Sequence, residues 1–244
     1  MRYVGGKARI ATWVATHIRP LATGKTVYLE PFVGSGANFV KHSGWFQTAI
    51  AADGHRDLIL MWQAVANGWM PPEHITREEY AALKGAEPSA LRGIVGFGAS
   101  FSGKWFGGYV DTAWDAHWNR YTKPYLAAAR ASVLKAAAAF KRATILCADY
   151  RTHQSINQRT LIYCDPPYAG TLGYGGVDKF DTSEFWKTAR LWSDAGAVVV
   201  VSETQAPAGW RVLATRERKA MLRVAVDEAN NVRQESLFVS ENHG

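Results

Sequence analysis

Thr26-Val27-Tyr28-Leu29-Glu30-Pro31-Phe32-Val33-Gly34-Ser35-Gly36 is the stretch that decides the architecture. Its first half, Thr26–Glu30, is a short apolar run of the kind that forms a buried strand. Its second half is a glycine turn leading into a helical segment. Glycines at such a turn let the backbone approach a ligand closely, and the helix N-terminus that follows favours a negative group. The same pattern also describes an ordinary tight βα turn, so alone it selects no ligand. Phe39 stands where a dinucleotide fingerprint would place its last glycine, which argues against a nicotinamide enzyme.

Outward from this stretch the rhythm repeats. Four more apolar runs read as buried strands: Thr48–Asp53, Thr144–Cys147, Thr160–Cys164 and Ala197–Ser202. Three of them end at or near an acidic residue, namely Asp53, Asp149 and Asp165. Between the runs lie helical segments at Ala8–Arg19, Asp57–Asn67, Thr76–Lys84, Lys123–Arg142 and Thr182–Asp194. Thr76-Arg77-Glu78-Glu79 has the form of a capping box, and Tyr125, Ala129, Val133, Ala136 and Phe140 fall on one helical face. Near-continuous apolar strands alternating with helices predict an α/β fold whose mostly parallel sheet is covered on both faces. The tail differs: Lys219–Val226 and Gln234–Ser240, with Asn230-Asn231 between them, read as an antiparallel hairpin closing the sheet edge. From Gly68 to Tyr121 the chain is crowded with Gly, Trp, Tyr and Phe and shows no strand period, which reads as an inserted lobe with exposed loops.

Composition narrows the class. Apolar residues make up 48% of the 244, enough for a large core, so disorder is not expected. No apolar run is long enough to span a bilayer, and the N-terminus has no apolar signal segment, so a soluble, cytoplasmic protein without membrane contact is expected. The formal net charge of +7 favours a polyanionic partner, and the ten Trp include faces that could stack on unpaired bases. Two cysteines, Cys147 and Cys164, are too few for a disulfide framework or a zinc site. Both sit at the end of apolar runs and read as buried thiols. The histidines lack metal-ligand spacing, and no metal is expected.

The most specific signal is Asp165-Pro166-Pro167-Tyr168, directly after the strand Thr160–Cys164. Two prolines lock φ and remove two backbone donors, so the chain leaves the strand rigidly. The Asp165 carboxylate and the Pro166 carbonyl then offer two acceptors, which match the two N–H donors of a planar amino group. Tyr168 supplies a flat face for a base. Asp53, at the end of the strand one unit after the glycine turn, suits the two hydroxyls of a ribose.

With these residues in place, the sequence resembles the amino-group DNA methyltransferases, specifically the adenine-N6 branch with cofactor motifs first, then a target-recognition region, then the Asp-Pro-Pro-Tyr tetrad. Val4-Gly5-Gly6-Lys7, Leu29 through Gly36, Asp53 with Asp57-Leu58-Ile59, Cys147-Ala148-Asp149-Tyr150 and Ser202-Glu203 each resemble a family motif. Tyr3-Val4 departs from the family's usual Trp-Ala, and Gly54 and His55 depart from its Ile-Asn. The resemblance implies a Rossmann-like S-adenosylmethionine-dependent methyltransferase sheet with a C-terminal antiparallel hairpin. The catalytic domain would be residues 1–67 and 142–244, and 68–141 an inserted DNA target-recognition region. It implies S-adenosylmethionine bound by Tyr3, Lys7, Glu30, Phe32, Gly34, Gly36, Asp53, Asp149 and Asp165. Asp165, Pro166 and Tyr168 would act on N6 of an adenine flipped from double-stranded DNA, in an enzyme working as a monomer. Two rivals share the tetrad: an amino methyltransferase acting on cytosine N4 or on RNA, and a relative that binds DNA without catalysis. The aromatic and basic side chains of Phe97–Tyr109 fit either a DNA grip or a small aromatic core. Arg216, Arg218, Lys219 and Arg223 fit either phosphate contact or a charged edge strand.

Overall fold

Five apolar runs lie side by side as parallel strands in the computed structural model, which describes residues 1, 6–112, 114–115, 120–121, 124–167, 180–219 and 232–242. They are β1 (Val27–Glu30), β2 (Thr48–Asp53), β5 (Thr144–Cys147), β6 (Thr160–Cys164) and β7 (Val198–Glu203), and their bounds lie within a residue of the expected runs. Two long strands, β8 (Trp210–Lys219) and β9 (Val232–Ser240), complete a seven-stranded sheet of order β5-β2-β1-β6-β7-β9-β8. The first five strands are mutually parallel, and β9 runs antiparallel to both β7 and β8. A two-stranded ribbon, β3 (Trp114–Asp115) with β4 (Arg120–Tyr121), stands apart.

Successive strand residues point to opposite faces, and both faces are buried. Tyr28, Leu161, Tyr163, Val198, Val200, Leu237 and Val239 face one core. Leu29, Ile162, Cys164, Val199, Val201 and Phe238 face the other. The first core is covered by α1 (Ala11–Ile18), α2 (Ala37–His42), α3 (Arg56–Ala66), α5 (Ala90–Gly98) and α6 (Tyr125–Lys141). The second is covered by α7 (Thr182–Asp194), through Phe185, Ala189 and Trp192. One further helix, α4 (Arg77–Lys84), carries the expected capping box: the Thr76 hydroxyl accepts from the Glu79 N–H, and the Glu79 carboxylate from the Thr76 N–H. Tyr125, Ala129, Val133, Ala136 and Phe140 are all buried, as the helical face required.

Four expectations need correction. The hairpin's first arm already begins at Trp210, with β8 described through Lys219 and residues 220–226 outside the described residues, so Arg216, Arg218 and Lys219 lie inside β8 and not before the hairpin. There Arg216 stands opposite Glu235, and β8 forms the outer edge of the sheet. Arg223 lies outside the described residues. Cys164 is buried, but Cys147 is exposed, because β5 is an edge strand with a single neighbour and three of its four side chains reach solvent. The first helix begins at Ala11 and passes into a 3₁₀ turn, Arg19–Ala22, that accommodates Pro20.

The largest departure is α5, in a stretch of the glycine-rich lobe whose sequence reads as exposed loop, with no element expected at Ala90–Gly98. It is almost wholly buried. A Cβ on Gly93 would stand 2.2 Å from the Asp57 carbonyl oxygen, and one on Gly96 would stand 2.2 Å from the Trp105 ring. Glycine costs about 1 kcal/mol of helix propensity per residue. Here that loss lets α5 press against α3 and the Trp105 ring more closely than a side chain would permit. A partly buried ion pair fastens the junction, with Arg92 Nη1 2.6 Å from Asp57 Oδ2.

Candidate active site

The strand order reverses between β1 and β6: from β1 the chain builds outward through β2 to β5, then returns to β6 on the other side. In open α/β sheets a ligand crevice lies at such a reversal, beyond the carboxyl ends of the strands. Glu30 ends β1, Asp53 ends β2, and Asp165 directly follows β6. Three acidic residues, the third more than a hundred positions beyond the first two, are thus brought to one end of the sheet by the parallel pairing of their strands.

The glycine turn is held on three sides. Its N–H at Gly34 donates to Asp53 Oδ2 at 3.0 Å, and Val33 N donates to the Ala52 carbonyl at 2.9 Å. Trp62 Nε1 donates to the Gly34 carbonyl at 3.0 Å. Gly34 and Gly36 have φ of 46° and 71°, in the left-handed region that favours glycine. A Cβ at Gly36 would meet the Phe140 ring at 2.8 Å, and Phe140 stacks on Trp62 with centroids 3.9 Å apart and planes 4° apart. The turn therefore rests on a stacked aromatic pair from α3 and α6, which no motif had singled out.

Electrostatics at this edge favour a cation. Burial pushes the Asp53 carboxyl up to about 6, against the hydrogen bonds it accepts from His55 and Gly34. Glu30 is buried and accepts from the Tyr28 hydroxyl at 2.7 Å. Burial holds its carboxyl well above the usual carboxylate range, and the negative charges of Asp165 and Asp53 add to that. Relief from a positive ligand would be felt by all three.

Lys7 is brought into the same constellation, with Nζ 2.9 Å from Asp165 Oδ1 and the side chain 1% exposed. Asp165 itself is 19% exposed, so its carboxylate is partly open to solvent at the carboxyl end of the sheet, and Pro166 is buried. Phe32 joins Tyr150, Phe180 and Phe185 in an aromatic cluster beside the turn. Asp149 stands at the same sheet end, next to Tyr150, but its carboxylate is engaged by Arg151, through Nε at 2.8 Å and Nη2 at 2.7 Å. That guanidinium holds the Asp149 carboxyl below its usual range. Tyr3 and Tyr168 lie outside the described residues.

One residue at the site escaped the sequence reading. Glu235 in β9 lies 3.1 Å from Lys7 Nζ, and Ser202, named only as part of a motif, donates to Glu235 at 2.6 Å. A signal existed: Glu235 is in phase with the core-facing Leu237 and Val239, and a carboxylate at an inward strand position demands a partner.

The sheet order, five parallel strands extended by an antiparallel pair, is that of a Rossmann-like methyltransferase fold. The sequence pattern of the family described as D12 class N6 adenine-specific DNA methyltransferase matches residues 3–87 and 116–203, and the chain belongs to that family. The unmatched stretch between them holds α5 and the aromatic loop after it. Two proteins named DNA adenine methylase, from two strains of Vibrio cholerae serotype O1, are 26% identical over 191 residues, covering 69% of this chain. The match spans 64% of the length of those relatives. The solved structure of Escherichia coli yhhF aligns over 96% of this chain and 86% of that one, at 14% identity and a TM-score of 0.41. Among the described residues no helix is long and apolar enough to cross a membrane, and no group of three or more His, Cys, Asp and Glu is placed to hold a metal ion.

Proposed function

We propose that this chain methylates N6 of an adenine in double-stranded DNA, with S-adenosylmethionine as donor. The observation that carries the reading is the junction of Asp165, after β6, with the buttressed glycine turn after β1, across the reversal of strand order. The donor set fits S-adenosylmethionine: a carboxylate cluster for a cationic sulfonium, a glycine turn for close approach, and Asp53 at the end of β2 for ribose hydroxyls. When bound, the cofactor supplies an electrophilic methyl on a positively charged sulfur.

The chain's own residues do the rest. The target nitrogen is a poor nucleophile because its lone pair is delocalised into the ring. The Asp165 carboxylate and Pro166 carbonyl accept its two hydrogens and return lone-pair density to the nitrogen. Orientation supplies much of the rate, since aligned reactants gain about 7–11 kcal/mol. Neither cysteine is needed as a nucleophile, because the transfer is direct. A paired adenine must leave the stack first, at a cost of a few kcal/mol, and Tyr168 offers a stacking face for it.

Residues 68–141 we assign to target recognition, acting in a monomer. Supporting this is the loop that follows α5. It is pinned by Phe101 N to the Gly108 carbonyl, Val110 N to the Ala99 carbonyl, and Gly108 N to the Tyr80 hydroxyl. Phe97, Trp105 and Phe106 are used up in an aromatic core with His55 and Tyr80, whereas Phe101 is 60% exposed and Lys104 is exposed. A rigid loop presenting one bare ring and one cation suits a splayed strand.

The test is transfer of labelled methyl groups to duplex DNA, followed by digestion to nucleosides. N6-methyldeoxyadenosine is the expected product. A labelled cytidine, label only in RNA, or no label on any substrate would overturn the assignment.

A further inference from the structure

A carboxylate absent from the motifs is tied to the crevice. Glu235 is 4% exposed, and burying an anion costs several kcal/mol unless it is paired. Lys7 Nζ lies 3.1 Å from Glu235 Oε1, and Ser202 Oγ donates to that same oxygen at 2.6 Å. The same Nζ lies 2.9 Å from Asp165 Oδ1. One ammonium, 1% exposed, therefore joins the carboxylate of the tetrad to a carboxylate near the far end of the chain.

Topology explains how the partner arrives. Because β9 is antiparallel to β7, its first residues lie beside the carboxyl end of β7, with Ser236 paired to Glu203 and Leu237 to Ser202. A parallel strand in that slot would carry its first residues to the opposite edge of the sheet. The antiparallel strand between β7 and β8 thus delivers Glu235 to the crevice.

A lysine is a point charge on a flexible stem, and alone it can follow a carboxylate through many orientations. Anchored at a second point, it cannot. We propose that Glu235 is a positioning residue for methyl transfer. Acting through Lys7, it fixes Asp165 Oδ1 so that the second oxygen stays aimed at the amine. The inference rests on the reading of Asp165 given above.

Glu235→Gln keeps the shape and an acceptor for Ser202 while removing the charge. A misaligned reacting group costs up to about 100-fold, so kcat should fall by about 10- to 100-fold. KM for duplex DNA and for S-adenosylmethionine should stay within about twofold, the pattern of an interaction used only in the transition state. Ser202→Ala keeps every charge and loosens one anchor, so it should lower kcat in the same direction but less. If Glu235→Gln does not fold, Ser202→Ala decides the matter alone. Wild-type kcat in a folded variant overturns the positioning role. So does a loss confined to KM, or a loss that only tracks the folded fraction in circular dichroism. Wild-type protein that labels no DNA overturns the reading of the site itself, and this inference with it, so the two failures are distinct.

Discussion

Two turns face each other across the reversal of strand order, and they are held in opposite ways. The glycine turn after β1 is held from behind, by the stacked rings of Trp62 and Phe140 and by backbone hydrogen bonds to β2. The acidic-proline corner after β6 is held from the side, by an ammonium shared with Glu235. One turn is built on volume, the other on charge. A cofactor cradle needs shape, whereas a group that grips a reacting amine needs a defined direction.

The contrast is sharpest if each turn is broken by the change the other would tolerate. Asp165→Asn alters almost no volume. Losing one preorganised electrostatic contact costs about 10²–10³ in rate, so single-turnover methyl transfer should fall by that much while the thermal midpoint barely moves. A variant that retains more than a tenth of the activity would show that charge is not what the corner provides.

Gly36→Ala adds one methyl and no charge. It should destabilise the fold by about 1–3 kcal/mol through overpacking against Phe140, with strain from a φ of 71° added, as read from urea midpoints. An unchanged midpoint would mean that the aromatic pair yields and that the turn is not held by volume.

Trp62→Phe separates the two supports of the glycine turn. It keeps a ring against Phe140 but strips the donor from the Gly34 carbonyl, at about 1 kcal/mol. The loss should appear in weaker S-adenosylmethionine binding by calorimetry as well as in stability. Loss of stability with unchanged binding would place Trp62 in the core alone.

The smallest effect is in pH. Burial moves the Asp53 carboxyl from its usual 3.8 up to about 6. The folded value lies above the unfolded one, so folding favours the protonated form. Its contribution is fully present below the unfolded value and is lost as pH rises to about 6. Burial raises the Glu30 carboxyl as well, so it contributes a decline of the same sign. Scanning calorimetry should show the unliganded protein losing stability as pH rises from 3.8 to about 6, and Asp53→Asn should flatten that slope. A slope unchanged in Asp53→Asn would assign it to other groups.

Much of this was legible in the chain. The strand runs gave β1, β2, β5, β6 and β7 almost to the residue, because a strand buried on both faces shows as a continuous apolar run. The helix α7, at Thr182–Asp194, and the capping box at Thr76 were equally plain, since both are local devices. The helix α5 was not. Its glycines look like loop residues by propensity, and the close approach to Asp57 and Trp105 that makes glycine useful there involves partners outside the segment. The same reason hid the exposure of Cys147, which depends on β5 lacking an outer neighbour.

By itself the sequence determined what each segment offers: acidic strand ends, a glycine turn, a proline-locked corner and a basic, aromatic-rich composition. These are properties of a few neighbouring residues, and short-range sterics and periodicity write them directly into the chain. Only the tertiary structure decided which of them meet. It placed Trp62 and Phe140 behind Gly36, took Phe97, Trp105 and Phe106 into a core while leaving Phe101 bare, and seated Lys7 between Asp165 and Glu235. Those pairings come from strand order and direction. They are set by the burial of both sheet faces together, and no local stretch carries that information.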